Sequence, residues 1–175
     1  YHFDQGHAVM KRDVVLPALI TLEDYLNAHL PGFDVEGFST DERGRIDEGG
    51  EFEKTVYEAL KPNVDEVLAG VRPAGVAHQI EIDLVVRRSN GVGIIEAKTG
   101  VKKAGIDQLD TAANPTYMGM YATKFLITGR RLPRAHKTLA VAQQIHVIEL
   151  PGYYPGQGIP QSERRFLKQQ IEQTL

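Results

Sequence analysis

HQIEIDLVVRRSNGVGIIEAKTG, residues 78–100, decides how the rest of the chain is read. Ile80, Ile82, Leu84 and Val86 alternate with Glu81, Asp83, Val85 and Arg87, which is the period of a β-strand. Asn90-Gly91 predicts a two-residue hairpin turn, because both positions of that turn take positive φ. A second strand follows over 92–98. In it, Glu96 and Lys98 stand just after Ile94 and Ile95, where a plain core strand would carry more Val, Ile or Leu. With the turn at 90 and 91, the numbers of opposite residues sum to 181, so Asp83 is expected across from Lys98 and Val85 across from Glu96. Glu81, Asp83, Glu96 and Lys98 then share one face, and Ile80, Ile82, Leu84, Val86, Ile95 and Ala97 share the other.

Working outward, residues 13–29 carry apolar residues at helical spacing and stop before Pro31-Gly32. Residues 34–50 are polar, acidic and glycine-bearing, and read as a loop or linker. Gly49-Gly50 precedes a helix, EFEKTVYEAL, that Pro62 ends. Residues 64–72 are a weak strand candidate, 102–113 a helix and 122–129 a strand. A helix over 133–143, a strand over 145–150, a turn-rich stretch from Pro151 to Pro160 and an amphipathic helix over 161–174 complete the chain. The order predicts an α/β fold with a mixed central β-sheet flanked by helices. Residues 1–40 are expected to be an N-terminal helical extension or linker, and 41–175 the domain that carries the chemistry.

The acids suggest what that chemistry is. On the expected register Asp83 and Glu96 are diagonal neighbours, roughly 7 Å apart at the backbone. Carboxylates that close repel unless a cation or proton lies between them. Oxygen ligands without sulfur or nitrogen suit Mg²⁺ or Mn²⁺. Lys98 is placed to hold a scissile phosphate or an attacking water. The plainer alternative is a hairpin with a wet face, on which Asp83 and Lys98 make an ordinary cross-strand ion pair. A third acid, Glu53, lies beside the helical stripe of Phe52, Val56, Ala59 and Leu60, in step with Val56, Tyr57 and Leu60. It either pairs with a metal held by the other two or reaches water near the helix start.

Composition allows this. The 175 residues carry a net charge of −3, low for a nucleic-acid binder, but the charges are unevenly spread. Residues 1–66 hold 15 acids against 6 Lys and Arg, while residues 98–137 hold 8 Lys and Arg against 2 acids. Cysteine is absent, which excludes disulfides and Cys-based zinc sites and fits a cytoplasmic location. No apolar run approaches a membrane span, and there is no signal-peptide pattern. The first residue is Tyr1 rather than Met, which points to a piece of a longer chain.

An acid on a leading helix (Glu53), an Asp late in one strand (Asp83) and Glu96-Ala97-Lys98 in the next resemble the signature of the PD-(D/E)XK nucleases, the restriction-endonuclease-like fold. Over about residues 45–150, GGEFEKTVYEAL, EIDLVV, IIEAKTG and ATKFLITGRRL resemble more specifically the nuclease domain of CRISPR-associated ancillary effectors, which join it to a cyclic-oligoadenylate sensor. The resemblance implies a Mg²⁺- or Mn²⁺-dependent endonuclease acting on DNA, RNA or both, with metal held by Asp83, Glu96 and Glu53 and Lys98 catalytic. Gln108, about ten residues past the E-x-K motif, stands where related nucleases orient water or touch a phosphate. The chain departs from the family at Glu51, where an aromatic is frequent, and residues 1–40 are too short for a sensor domain. Control by a cyclic nucleotide therefore needs a missing sensor domain or an activating partner.

Lys102, Lys103, Lys124, Arg130 and Arg131, with Arg134 and Lys137, are candidates for a basic track along nucleic-acid phosphates. Tyr117 and Tyr121 are candidates for base stacking, with core packing the favoured alternative. Tyr153-Tyr154 carries no signal of its own. A homodimer is the default expectation for this fold. The competing readings are a restriction, repair or junction-resolving nuclease and a non-catalytic nucleic-acid-binding module.

Overall fold

The computed structural model describes residues 21–75, 80–100 and 122–175. Six strands form one sheet in sequence order: β1 (Phe33–Val35), β2 (Glu66–Pro73), β3 (Ile82–Arg88), β4 (Gly91–Lys98), β5 (Ala122–Thr128) and β6 (Ile145–Glu149). β1 to β4 run antiparallel, whereas β4, β5 and β6 run parallel. Among the described residues, four α-helices flank the sheet: α1 (Leu22–His29), α2 (Glu48–Leu60), α3 (Arg134–Ala142) and α4 (Gln161–Thr174). The expected mixed α/β architecture is the one observed.

Two apolar layers hold it. In the first, Leu22, Tyr25, Leu26 and Leu30 of the α1 segment and Ala140 of α3 pack with Val85, Val92, Ile94 and Leu126. In the second, Phe52, Val56 and Leu60 of α2 and Leu167 and Ile171 of α4 pack with Leu84, Val86, Ile95, Ala97, Phe125 and Ile127. β4 alternates cleanly between them, Val92 and Ile94 to the first, Ile95 and Ala97 to the second. Both faces of the β3–β4 hairpin are therefore covered, and neither is the wet face of the plainer sequence reading.

Several boundaries differ from expectation. The 13–29 helix is seen from Leu22, with Thr21 accepting from the Asp24 N–H as N-cap. Leu22 also donates its N–H to Glu66 of β2 at 2.9 Å, which ties this segment to the sheet. Within the expected 34–50 loop lies most of β1, too short to show a period, paired with Val71–Pro73. α2 begins at Glu48, because Asp47 accepts the Gly50 N–H as N-cap and draws both glycines into the first turn.

The hairpin turn is also shifted. Arg88 pairs with Gly91, so Ser89 and Asn90 form the turn, with Ser89 at φ 53°. The Asp65 carboxylate accepts the Ser89 N–H at 2.6 Å and pins the turn there. Opposite numbers now sum to 179, as in Leu84 with Ile95. Because the sum stays odd, β4 keeps its expected faces. Ile80 and Ile82 nevertheless join the first layer while Leu84 joins the second. The change of side falls beside Gly70, whose φ of +67° interrupts β2 between Ala69, which pairs with Leu84, and Val71, which pairs with Ile82. The helix expected over 102–113 lies outside the described residues.

Candidate active site

The corrected register runs from Arg88 with Gly91 to Leu84 with Ile95, and Asp83 and Glu96 stand just past its last pair. β3 and β4 thus bring two carboxylates to one spot, an arrangement that costs energy without a counter-charge. Lys98 supplies one: its Nζ lies 3.2 Å from Asp83 Oδ2 and 3.2 Å from Glu96 Oε1. The Ala97 N–H donates to Asp83 Oδ2 at 2.9 Å. Glu53, Asp83 and Glu96 are only 3%, 5% and 2% exposed, so these acids are part of the interior. Buried carboxylates are rare and expensive.

Glu53 rises from α2. Its Oε2 accepts the Ser39 N–H at 2.9 Å. Ser39 is fixed in turn by its hydroxyl, which donates to the N-cap carboxylate of Asp47 at 2.7 Å. Gly50 permits this docking, because a Cβ there would lie 2.1 Å from the Ser39 carbonyl oxygen. Sequence reasoning missed Ser39, which acts through a backbone N–H that any residue but proline would offer. Asp47 had a readable signal, an Asp just ahead of an apolar helical stripe.

Burial pushes the Glu53 carboxyl up to about 7, helped by the Asp83 charge, while the Ser39 N–H and Lys98 pull the other way. Burial and then Asp83 push Glu96 up to about 8. Asp83 is raised by burial and held back by Lys98 and the Ala97 N–H. For Lys98, burial opposes the ammonium, but Glu96 and Asp83 outweigh it and hold the group above its ordinary range. Glu96 Oε1 is buried and receives no aligned hydrogen bond, although Lys98 stands at ion-pair distance. The donor set is all carboxylate oxygen, and Glu96 Oε1 is held by an ion pair with no aligned hydrogen bond; both features fit a hard divalent cation. Among the described residues, no group of three or more His, Cys, Asp and Glu side chains is arranged to hold an ion, so Glu53 is not seen to complete a three-acid set with Asp83 and Glu96.

The structure places the other expected residues unevenly. Gln108, Lys102, Lys103, Tyr117 and Tyr121 lie outside the described residues. Lys124 pairs with Ile94 and Ile145, four residues back from Thr128, which pairs with Lys98. That is roughly 13 Å along the strand from the Lys98 level. Arg130 is exposed and sits just past Gly129, whose N–H donates to the Lys98 carbonyl at 3.0 Å. Arg131 is exposed beside a separate hollow with Lys137 and Phe166, and Lys137 is ion-paired to Glu149 at 2.7 Å.

No family model matches the chain, and neither does any curated protein. Solved structures do. Can2 from Sulfobacillus thermosulfidooxidans, solved in complex with cyclic tetra-adenylate, aligns at TM-score 0.52 and 19% identity, over 71% of this chain and 36% of its own. Protein VC1899 from Vibrio cholerae aligns at 0.50 and 19%, over 93% of this chain and 42% of its own. AF1548, a protein of unknown function, aligns at 0.51 and 14%, over 70% of this chain and 67% of its own. The chain thus spans well under half the length of the first two, and at these identities the likeness shows a shared fold. Among the described residues, no helix is long and apolar enough to cross a membrane.

Proposed function

We propose that this chain is a divalent-metal-dependent endonuclease of the PD-(D/E)XK type that hydrolyses phosphodiester bonds of DNA, RNA or both in the cytoplasm. The observation that carries the reading is the buried Asp83–Glu96 pair with Lys98 between the two carboxylates. Two interior acids cost desolvation energy, and hydrophobic residues in place of such a buried cluster are often neutral or stabilising. Asp83 and Glu96 would hold Mg²⁺ or Mn²⁺, with Glu53 on the same ion, a second ion or a bound water. Such an ion makes water a better nucleophile and offsets charge on the phosphate.

The residues of the chain do the rest. Lys98 brings a fixed ammonium to the attacking water and to the charge building on the phosphate. The chain has no Cys and no convincing Ser-His arrangement, so attack is by water, without a covalent enzyme intermediate. Gln108 orients that water, and Lys102, Lys103, Lys124, Arg130 and Arg131 neutralise neighbouring phosphates. The acting form is a homodimer. The fold likeness to Can2, whose structure holds cyclic tetra-adenylate, supports a place in CRISPR-linked anti-phage defence, with control by a sensor domain or activator.

The test incubates plasmid, single-stranded DNA and RNA with the protein in Mn²⁺, Mg²⁺ or EDTA. Cleavage is expected with either metal and none in EDTA. Glu96→Ala and Lys98→Ala should each lower the rate by about 10²–10³-fold. Equal cleavage by both variants, or in EDTA, removes the reading. Intact substrates throughout, with and without cyclic oligoadenylates, would favour a binding module.

A further inference from the structure

The three parallel strands end side by side. Lys98 closes β4, Thr128 closes β5 and Glu149 closes β6. Past these ends, a cavity of about 190 Å³ opens between Glu48 at the start of α2, Thr99, Gly129, Arg130, Tyr153 and Tyr154. It begins one residue beyond the lysine of the site just described. At the liquid share of a water molecule it has room for about six waters, close to the bulk of one nucleobase.

We propose that this cavity seats one unpaired base of a single-stranded nucleic acid, with Tyr154 stacking on it and Arg130 holding the adjoining phosphate. The proposal rests on the nuclease reading for its substrate class. Tyr153 makes the rigid wall: its ring meets Phe52 edge-on at 4.7 Å, and it packs so close to Gly129 that a Cβ there would lie 3.2 Å from the ring. Tyr154 is different. The residue is 63% exposed, while its backbone N–H and carbonyl are both bonded to Gly158, so a tight turn presents it to solvent. An exposed aromatic ring beside an exposed guanidinium is the pairing that grips single strands, the ring on the base and the cation on the backbone. Glu48 disfavours a phosphate inside the cavity but accepts from the exocyclic amine of a base. A base inside a duplex offers no free face to Tyr154, so the pocket selects strands whose bases are unstacked.

The chain contains no tryptophan, so Tyr154→Trp installs a single reporter in place of the ring. In EDTA, where no cleavage occurs, titration with twelve-nucleotide single strands of DNA and RNA should quench that fluorescence to saturation. An abasic strand of the same length should not. In anisotropy titrations with the same labelled strands, Tyr154→Ala and Arg130→Ala should each weaken binding by about 5- to 100-fold. Both positions are exposed, and thermal unfolding of each variant verifies that it folds. Absent quenching, or affinities within twofold for parent and both Ala variants, overturns the proposal. Quenching by bases without metal-dependent cleavage would leave the pocket standing and remove the nuclease. Cleavage with binding indifferent to both substitutions would do the reverse.

Discussion

Glu96 occupies a position where the alternation of β4 calls for another residue of the first apolar layer, and this single substitution of charge for hydrocarbon sets the energetics of the site. Its carboxyl is held at about 8, against an ordinary value of 4.5. Between those values the native protein binds a proton that the unfolded chain releases, so stability falls as pH rises through this window. Thermal unfolding in EDTA is therefore expected to show a higher Tm at pH 5.5 than at pH 8.5. Glu96→Gln should remove much of this slope and raise stability at pH 8.5 by about 1–3 kcal/mol. Lys98→Ala should act oppositely, costing about 2–4 kcal/mol at pH 8.5 and less at pH 5.5, because Asp83 and Glu96 lose the cation that offsets them. Glu53, Asp83, Glu96 and Lys98 were legible in the sequence because charges interrupt apolar periods. Ser39 was not, since only its amide matters, and Tyr153-Tyr154 were not, since nothing local says which cavity a loop residue will border.

At the scale of elements, the loop from Gly37 to Asp47 works as a bracket for α2, with Ser39 bonded both to Glu53 and to the N-cap. Gly50→Ala would drive a methyl group into the Ser39 carbonyl and push the bracket off. The expected cost is about 1–3 kcal/mol, a Tm lower by roughly 4–10 °C in calorimetry. Freed from the Ser39 N–H, Glu53 should titrate higher, which carbon-detected NMR of its carboxyl would register. The elements themselves were mostly readable, since β3, β4, β5, α3, β6 and α4 announce their periods. Boundaries were not, because side chains from elsewhere decide them: Asp47 starts α2 early, and Asp65 moves the turn to Ser89-Asn90. The shift in register moves Lys98 off its expected place across from Asp83, yet its ammonium still reaches both Asp83 and Glu96.

For the whole molecule, the site weakens the metal-free state, so a ligand that neutralises it should stabilise the fold by mass action. At 100 times its Kd, Mn²⁺ should add about 2.7 kcal/mol. The shift in Tm is expected at pH 8 and should shrink at pH 5.5, where protons compete for the same oxygens. Differential scanning fluorimetry with Ca²⁺ and Mg²⁺ alongside checks it, and a Tm unmoved by every divalent ion at pH 8 would count against the site. The sheet order, in which spatial neighbours are also neighbours along the chain, carries one more implication. The hairpin with Asp83 and Glu96 closes over only a few residues, whereas β5 begins only at Ala122, well along the chain from Lys98. During synthesis, the two acids are therefore expected to come together before β5 and β6 are available. Recruitment of β5 is then expected to be the slower step, and a nascent chain paused before it would hold the Asp83, Glu96 and Lys98 cluster with an open flank.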